Sequence, residues 1–108
     1  MPSKVLKMVE RALNRLAEQS RESLGPVEIY LFGSFARGDW LEDSDIDIVV
    51  VSEKFEGKSM PERINLVRRL ADGNVAFEIL AYTPRELRET VTRSIIIQDA
   101  STYWKKIV

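Results

Sequence analysis

The sequence predicts an α/β (α+β) fold: a small mixed β-sheet with helices packed on one side. Three observations carry that expectation. Helical and strand-like patterns alternate along the whole chain. One nearly continuous apolar run, Ile46 to Val51, has the length and composition of a strand buried on both faces. Two capping-box patterns with an early proline, Ser59-Met60-Pro61-Glu62 and Thr83-Pro84-Arg85-Glu86, each announce a helix start.

The elements follow in order. Val5, Met8, Val9, Ala12, Leu13 and Leu16 recur at the spacing of one helix face, with Ser3 placed to cap the start. The pattern fades at Gly25-Pro26. Val27 to Phe32 reads as a strand that stops at Gly33-Ser34. Phe35 to Ser44 reads as a short helical turn and then a loop, and Ile46 to Val51 as the second strand. Glu53 to Lys58 is polar, contains Gly57 and reads as a mobile loop. The helix opened at Ser59 carries Ile64, Val67, Leu70 and Ala71 on one side and ends at Asp72-Gly73-Asn74. Val75 to Tyr82 is a third strand, and Thr83 opens another helix. Ile95 to Val108 mixes helix and strand signals. The short link between the first two strands permits an antiparallel pair or a tight crossover; local pattern does not choose.

With 108 residues, 44% of them hydrophobic, the chain is expected to form a single domain over residues 1–108 with one core. A formal net charge of -1 provides no broad basic surface, so bulk nucleic acid is not an expected partner. The chain has no cysteine, which excludes disulfides and thiolate zinc sites. It also has no histidine, so acid–base chemistry falls to carboxylates, Lys, Tyr or bound water. No apolar run suits a membrane span or a signal peptide, and a cytoplasmic location is expected.

The most informative stretch is Asp45-Ile46-Asp47 at the head of the apolar strand. Alternation turns both acids to one face, with Cα atoms about 6.5 Å apart, two strand rises. Carboxylates beside a buried strand need pairing or a cation, and two at this spacing can share a hard cation such as Mg²⁺. Gly33-Ser34 at a strand end allows close backbone approach to a phosphate, with a hydroxyl beside it. Glu78 is a lone acid among apolar residues. Should its strand lie beside that of Asp45 and Asp47, the three carboxylates form a cluster, with Glu78 as metal ligand or general base.

Taken together, Gly33-Ser34, ten intervening residues and Asp45-x-Asp47 before an apolar strand resemble the signature of the DNA polymerase β-like nucleotidyltransferase superfamily. The strings Leu31 to Asp39, Ser44 to Val50 and Glu78 to Pro84 resemble its minimal nucleotidyltransferase branch, so the likeness runs in matching order from Val27 to Leu87. That branch often supplies the antitoxin of HEPN–MNT toxin–antitoxin pairs. The resemblance implies a nucleotidyltransferase fold. It implies that Gly33, Ser34 and Arg37 bind the nucleotide and that Asp45, Asp47 and Glu78 hold Mg²⁺ and serve catalysis. Glu78 stands where the family usually has Asp, one methylene shorter.

The implied activity is transfer of AMP from ATP to a hydroxyl, a tyrosine of a HEPN-type partner, by attack on the α-phosphorus with release of pyrophosphate. Larger relatives carry further domains for substrate recognition. This chain stops soon after the catalytic unit, which points to a second protein as the source of the acceptor. Ile95-Ile96-Ile97 and Tyr103-Trp104 are candidate contact residues, and homo- or hetero-oligomers both remain open. A module that neutralises its partner by contact alone is the competing function, with transfer to a small molecule or an RNA end a third.

Overall fold

The computed structural model describes residues 4–108; Ser3, expected to cap the first helix, lies outside them. The elements run α1 (Lys4–Leu24), β1 (Glu28–Phe32), α2 (Gly33–Arg37), β2 (Ile46–Val51), a 3₁₀ turn (Glu53–Phe55), α3 (Met60–Leu70), β3 (Phe77–Tyr82), α4 (Pro84–Arg93), α5 (Ile95–Ser101) and β4 (Lys105–Lys106). The sheet order is β3-β2-β1-β4. β1 runs antiparallel to both β2 and β4, which settles the open choice between hairpin and crossover. β2 and β3 are parallel, as the intervening helix α3 requires.

Strand alternation divides the sheet into two faces. Ile29 and Leu31, Ile46, Ile48 and Val50, and Phe77, Ile79 and Ala81 pack in one core with Val9, Ala12, Leu13 and Leu16 of α1 and Val67 of α3. This is the expected helical side; Met8, on the rim of the α1 stripe, is exposed. The other face carries Phe32, Asp47, Val49, Glu78 and Leu80. Val49 is fully buried, so β2 is covered on both sides as its apolar run predicts.

Part of that second face is covered by the C-terminal segment, whose mixed signals were both real. α5 buries Ile97 and Ala100, and β4 then returns along β1. Its neighbours complete the seam: Ile29 N–H donates to the Val108 carbonyl at 3.1 Å, and Ile107 N–H to the Ile29 carbonyl at 2.7 Å. Trp104 stacks on Tyr30 with centroids 4.5 Å apart. The stretch expected to be a mobile loop, Glu53 to Lys58, instead anchors the core through Phe55, which is 0% exposed. One aromatic in a polar run gives no periodicity, yet it supplies a large apolar surface to bury.

Both helix-start signals form full capping boxes, Ser59 with Glu62 and Thr83 with Glu86. Glu86 has a second role. Arg63, a buried residue of α3, pairs with it through both terminal guanidinium nitrogens and also donates to the carbonyls of Lys58 (2.9 Å, from Nε) and Ala81 (3.0 Å, from Nη1). Arg63 thereby ties α3, β3 and α4 together. Arg63→Met will leave these acceptors without their donor and should cost about 3 kcal/mol in denaturant unfolding, the scale of breaking a buried pair from one side. A loss under ~1 kcal/mol would show that water replaces the guanidinium freely.

Candidate active site

β1 delivers the chain to Gly33, where φ is +69°, a conformation that favours glycine. A second constraint acts at the same atom. A Cβ on Gly33 would stand 1.9 Å from Asp47 Oδ2 and 2.8 Å from its Cγ, so the bend is pressed directly against that carboxylate. Ladder register explains the contact, since Phe32 pairs with Asp47 across β1 and β2. α2 then turns once and closes at Gly38, whose N–H donates to the Ser34 carbonyl at 2.8 Å.

On its other side Asp47 pairs in register with Glu78 of β3. The two carboxyls are in contact, and Asp47 is pushed from 3.8 up to about 6. Burial is the largest cause, followed by the hydrogen bond with Glu78, the charge of Glu78 and the charge of Asp45; Arg37 pulls the other way. Asp45 is exposed, one residue before β2, and its charge is among those acting on Asp47. Among the described residues no three His, Cys, Asp or Glu side chains form a group that could hold a metal ion unaided. The acids are a contacting pair with a third at the strand mouth.

Gly33, Arg37, Asp47 and Glu78 line one cleft of about 610 Å³, within the size range of small-ligand sites. Asp45 and Ser34 are not among its lining residues. The opposite wall was not anticipated as part of the site. It comes from Ile95, Ile96, Asp99, Ala100 and Tyr103. Their spacing of one, three, one and three is that of a single helix face, a signal present in the sequence but masked by the strand-like residues that follow. Ile95 and Ile96 are 83% and 73% exposed, whereas Ile97 is buried at 2%. Arg37 extends from the end of α2, and its hydrogen bonds to Asp39 and then Tyr103 hold its guanidinium above its already high value.

A protein-family model for the nucleotidyltransferase domain matches residues 9–102. Over 49 residues the chain is 43% identical to the protein adenylyltransferase MntA of Thermococcus cleftensis, a match covering 45% of this chain and 50% of that protein. The aligned region thus spans about half the length of the curated relatives it matches. Among solved structures, a protein described as a nucleotidyltransferase from Sulfolobus solfataricus superposes with a TM-score of 0.62 at 28% identity, covering 82% of each chain. A chain from a toxin–antitoxin structure with AMP-PNP shares the fold, with a TM-score of 0.57 at 23% identity over 89% of this chain and 72% of that one. The family model spans most of the chain, a solved nucleotidyltransferase shares its fold, and the chain belongs to the nucleotidyltransferase domain family.

Proposed function

We propose that this chain is a magnesium-dependent nucleotidyltransferase of one domain that moves AMP from ATP to a tyrosine hydroxyl of a HEPN-type toxin, and so acts as its antitoxin. The observation that carries the reading is the contact of Gly33 with Asp47, itself paired with Glu78, in one cleft. A glycine bend that can approach phosphate sits against acids that can hold a cation to neutralise the phosphate's charge. The name of the Thermococcus relative supports a protein acceptor, and the toxin–antitoxin neighbour with AMP-PNP supports a toxin partner and an adenine nucleotide.

The donor set suits a hard divalent cation. It is all carboxylate oxygen, and burial first, then the neighbouring Glu78 and Asp45, raise Asp47 to about 6, so its ionised form lacks a compensating positive charge. Asp45 and Asp47, with Glu78 beside them, would hold the Mg²⁺. The ion would supply neutralisation of charge on the phosphates. Gly33 and Ser34 cradle the phosphates, and Arg37 pairs with one of them. The acceptor oxygen attacks the α-phosphorus, the bond to pyrophosphate breaks, and Glu78 takes the hydroxyl proton. Among the described residues no helix is long and apolar enough to cross a membrane.

Incubation with a HEPN-type partner, ATP and Mg²⁺ should add the mass of AMP to the partner, seen by intact-mass spectrometry and mapped to a tyrosine. A partner with an accessible tyrosine that never gains this mass defeats the proposal. One observation favours neutralisation by contact instead: the exposed Ile95 and Ile96 at the cleft. The double variant Asp45→Asn, Asp47→Asn separates the two readings, because a contact antitoxin keeps its protective effect and an enzyme loses it.

A further inference from the structure

Arg37 is a solvent-accessible side chain, 46% exposed, at the end of a five-residue helix. Left alone, such an arginine would sample many rotamers and would lose that freedom on meeting a ligand. Here it is held from two sides. Its Nε donates to Asp39 Oδ2 at 3.2 Å. Its Nη1 donates to Tyr103 Oη at 3.0 Å, and its guanidinium carbon lies 5.6 Å from the Tyr103 ring centroid. These contacts spend Nε and one Nη1 hydrogen, so the Nη2 group keeps its donors for a ligand.

Tyr103 is itself well fixed. Its N–H donates to the Ala100 carbonyl at 3.1 Å, and the next residue, Trp104, stacks on Tyr30 of β1. Arg37 and Tyr103 line the same cleft as Asp47 and Glu78. Of the three tyrosines, only Tyr103 does so.

We propose that Tyr103 is a positioning residue for nucleotide binding: its hydroxyl and ring hold the Arg37 guanidinium at the cleft, where the unspent Nη2 donors take a phosphate of the nucleoside triphosphate. The assignment rests on the nucleotide-binding reading above. It makes the segment after α5 part of the site, although Tyr103 lies 66 positions beyond Arg37 in the chain.

Calorimetric titration of the full chain with Mg²⁺–ATP tests it, using wild type, Tyr103→Phe, Arg37→Ala and the double variant. Binding by the wild type tests the nucleotide-binding reading independently. Tyr103→Phe keeps the ring and loses the hydroxyl, and should weaken binding by about 5–10-fold, the scale of one charge-assisted hydrogen bond. The KM for ATP should rise with it, while kcat changes less. In the Arg37→Ala background, Tyr103→Phe should have no further effect, since Tyr103 acts through Arg37. An equal loss in both backgrounds, or none in either while wild type binds, overturns the proposal. Covalent AMP on Tyr103 after incubation with Mg²⁺–ATP alone would make it an acceptor and overturn it as well. A wild type that binds no Mg²⁺–ATP overturns both readings.

Discussion

Gly33→Ala is expected to abolish AMP transfer while leaving most of the protein folded. Two costs meet at this residue. The left-handed conformation at φ +69° penalises any Cβ by about 1–2 kcal/mol. The larger cost is steric, because the new methyl would lie 1.9 Å from Asp47 Oδ2. Either the bend or the carboxylate must move by more than an ångström, and a misplacement of that size costs about 10²-fold or more in rate. Gly25 supplies a matched control. Its φ is +72°, but a Cβ there would meet nothing within 4 Å. Gly25→Ala should therefore show the strain alone, about 1 kcal/mol, with normal transfer. Comparing kcat/KM and melting temperature for the two variants isolates the Asp47 contact. Equal activity of both would mean that the bend need not touch the acid.

Much of this site was legible because its residues break local rules. Asp45 and Asp47 head an apolar strand, and Glu78 interrupts another; acids in such places ask for a reason. Gly33 ends a β-rich run abruptly. The capping boxes at Ser59 and Thr83 were readable because helix starts are written within four residues. What local pattern could not supply was adjacency. The Asp47–Glu78 contact depends on β3 pairing in parallel with β2, a choice made by the path of α3 and not by either strand. Phe55 and the Arg63–Glu86 pair were hidden for the same reason, since their partners are distant in sequence. The C-terminal wall was obscured because a helix and a strand follow each other within 14 residues, too short for either period to dominate.

Asp47→Asn should do two opposite things: lose AMP transfer and stabilise the metal-free protein. Loss of transfer, by at least about 10²-fold, follows from removing a carboxylate that would hold the cation neutralising the phosphates. The gain in stability follows from the sign of its shift. Asp47 in the folded chain titrates at about 6 instead of 3.8, so its ionised form is disfavoured by folding. That penalty is complete above the folded value and disappears as pH falls toward the ordinary one. A shift of about two units would correspond to roughly 3 kcal/mol in full; the side chain is only partly buried, and solvent screening reduces this to about 1 kcal/mol. Glu86 acts in the reverse sense. Its pairing with Arg63 lowers it from 4.5 to about 2, so its stabilising contribution is present above 4.5 and is lost as pH falls through that window. Metal-free wild type should thus become more stable as pH drops from neutral toward the mid-4 range, then less stable in stronger acid. Asp47→Asn should flatten the upper arm and leave the lower one intact. Thermal melts across this pH range, with a chelator present, measure both arms. A variant that melts below wild type at neutral pH would show that the two acids are not in conflict, and that the charge at the head of β2 is not held in readiness for a cation.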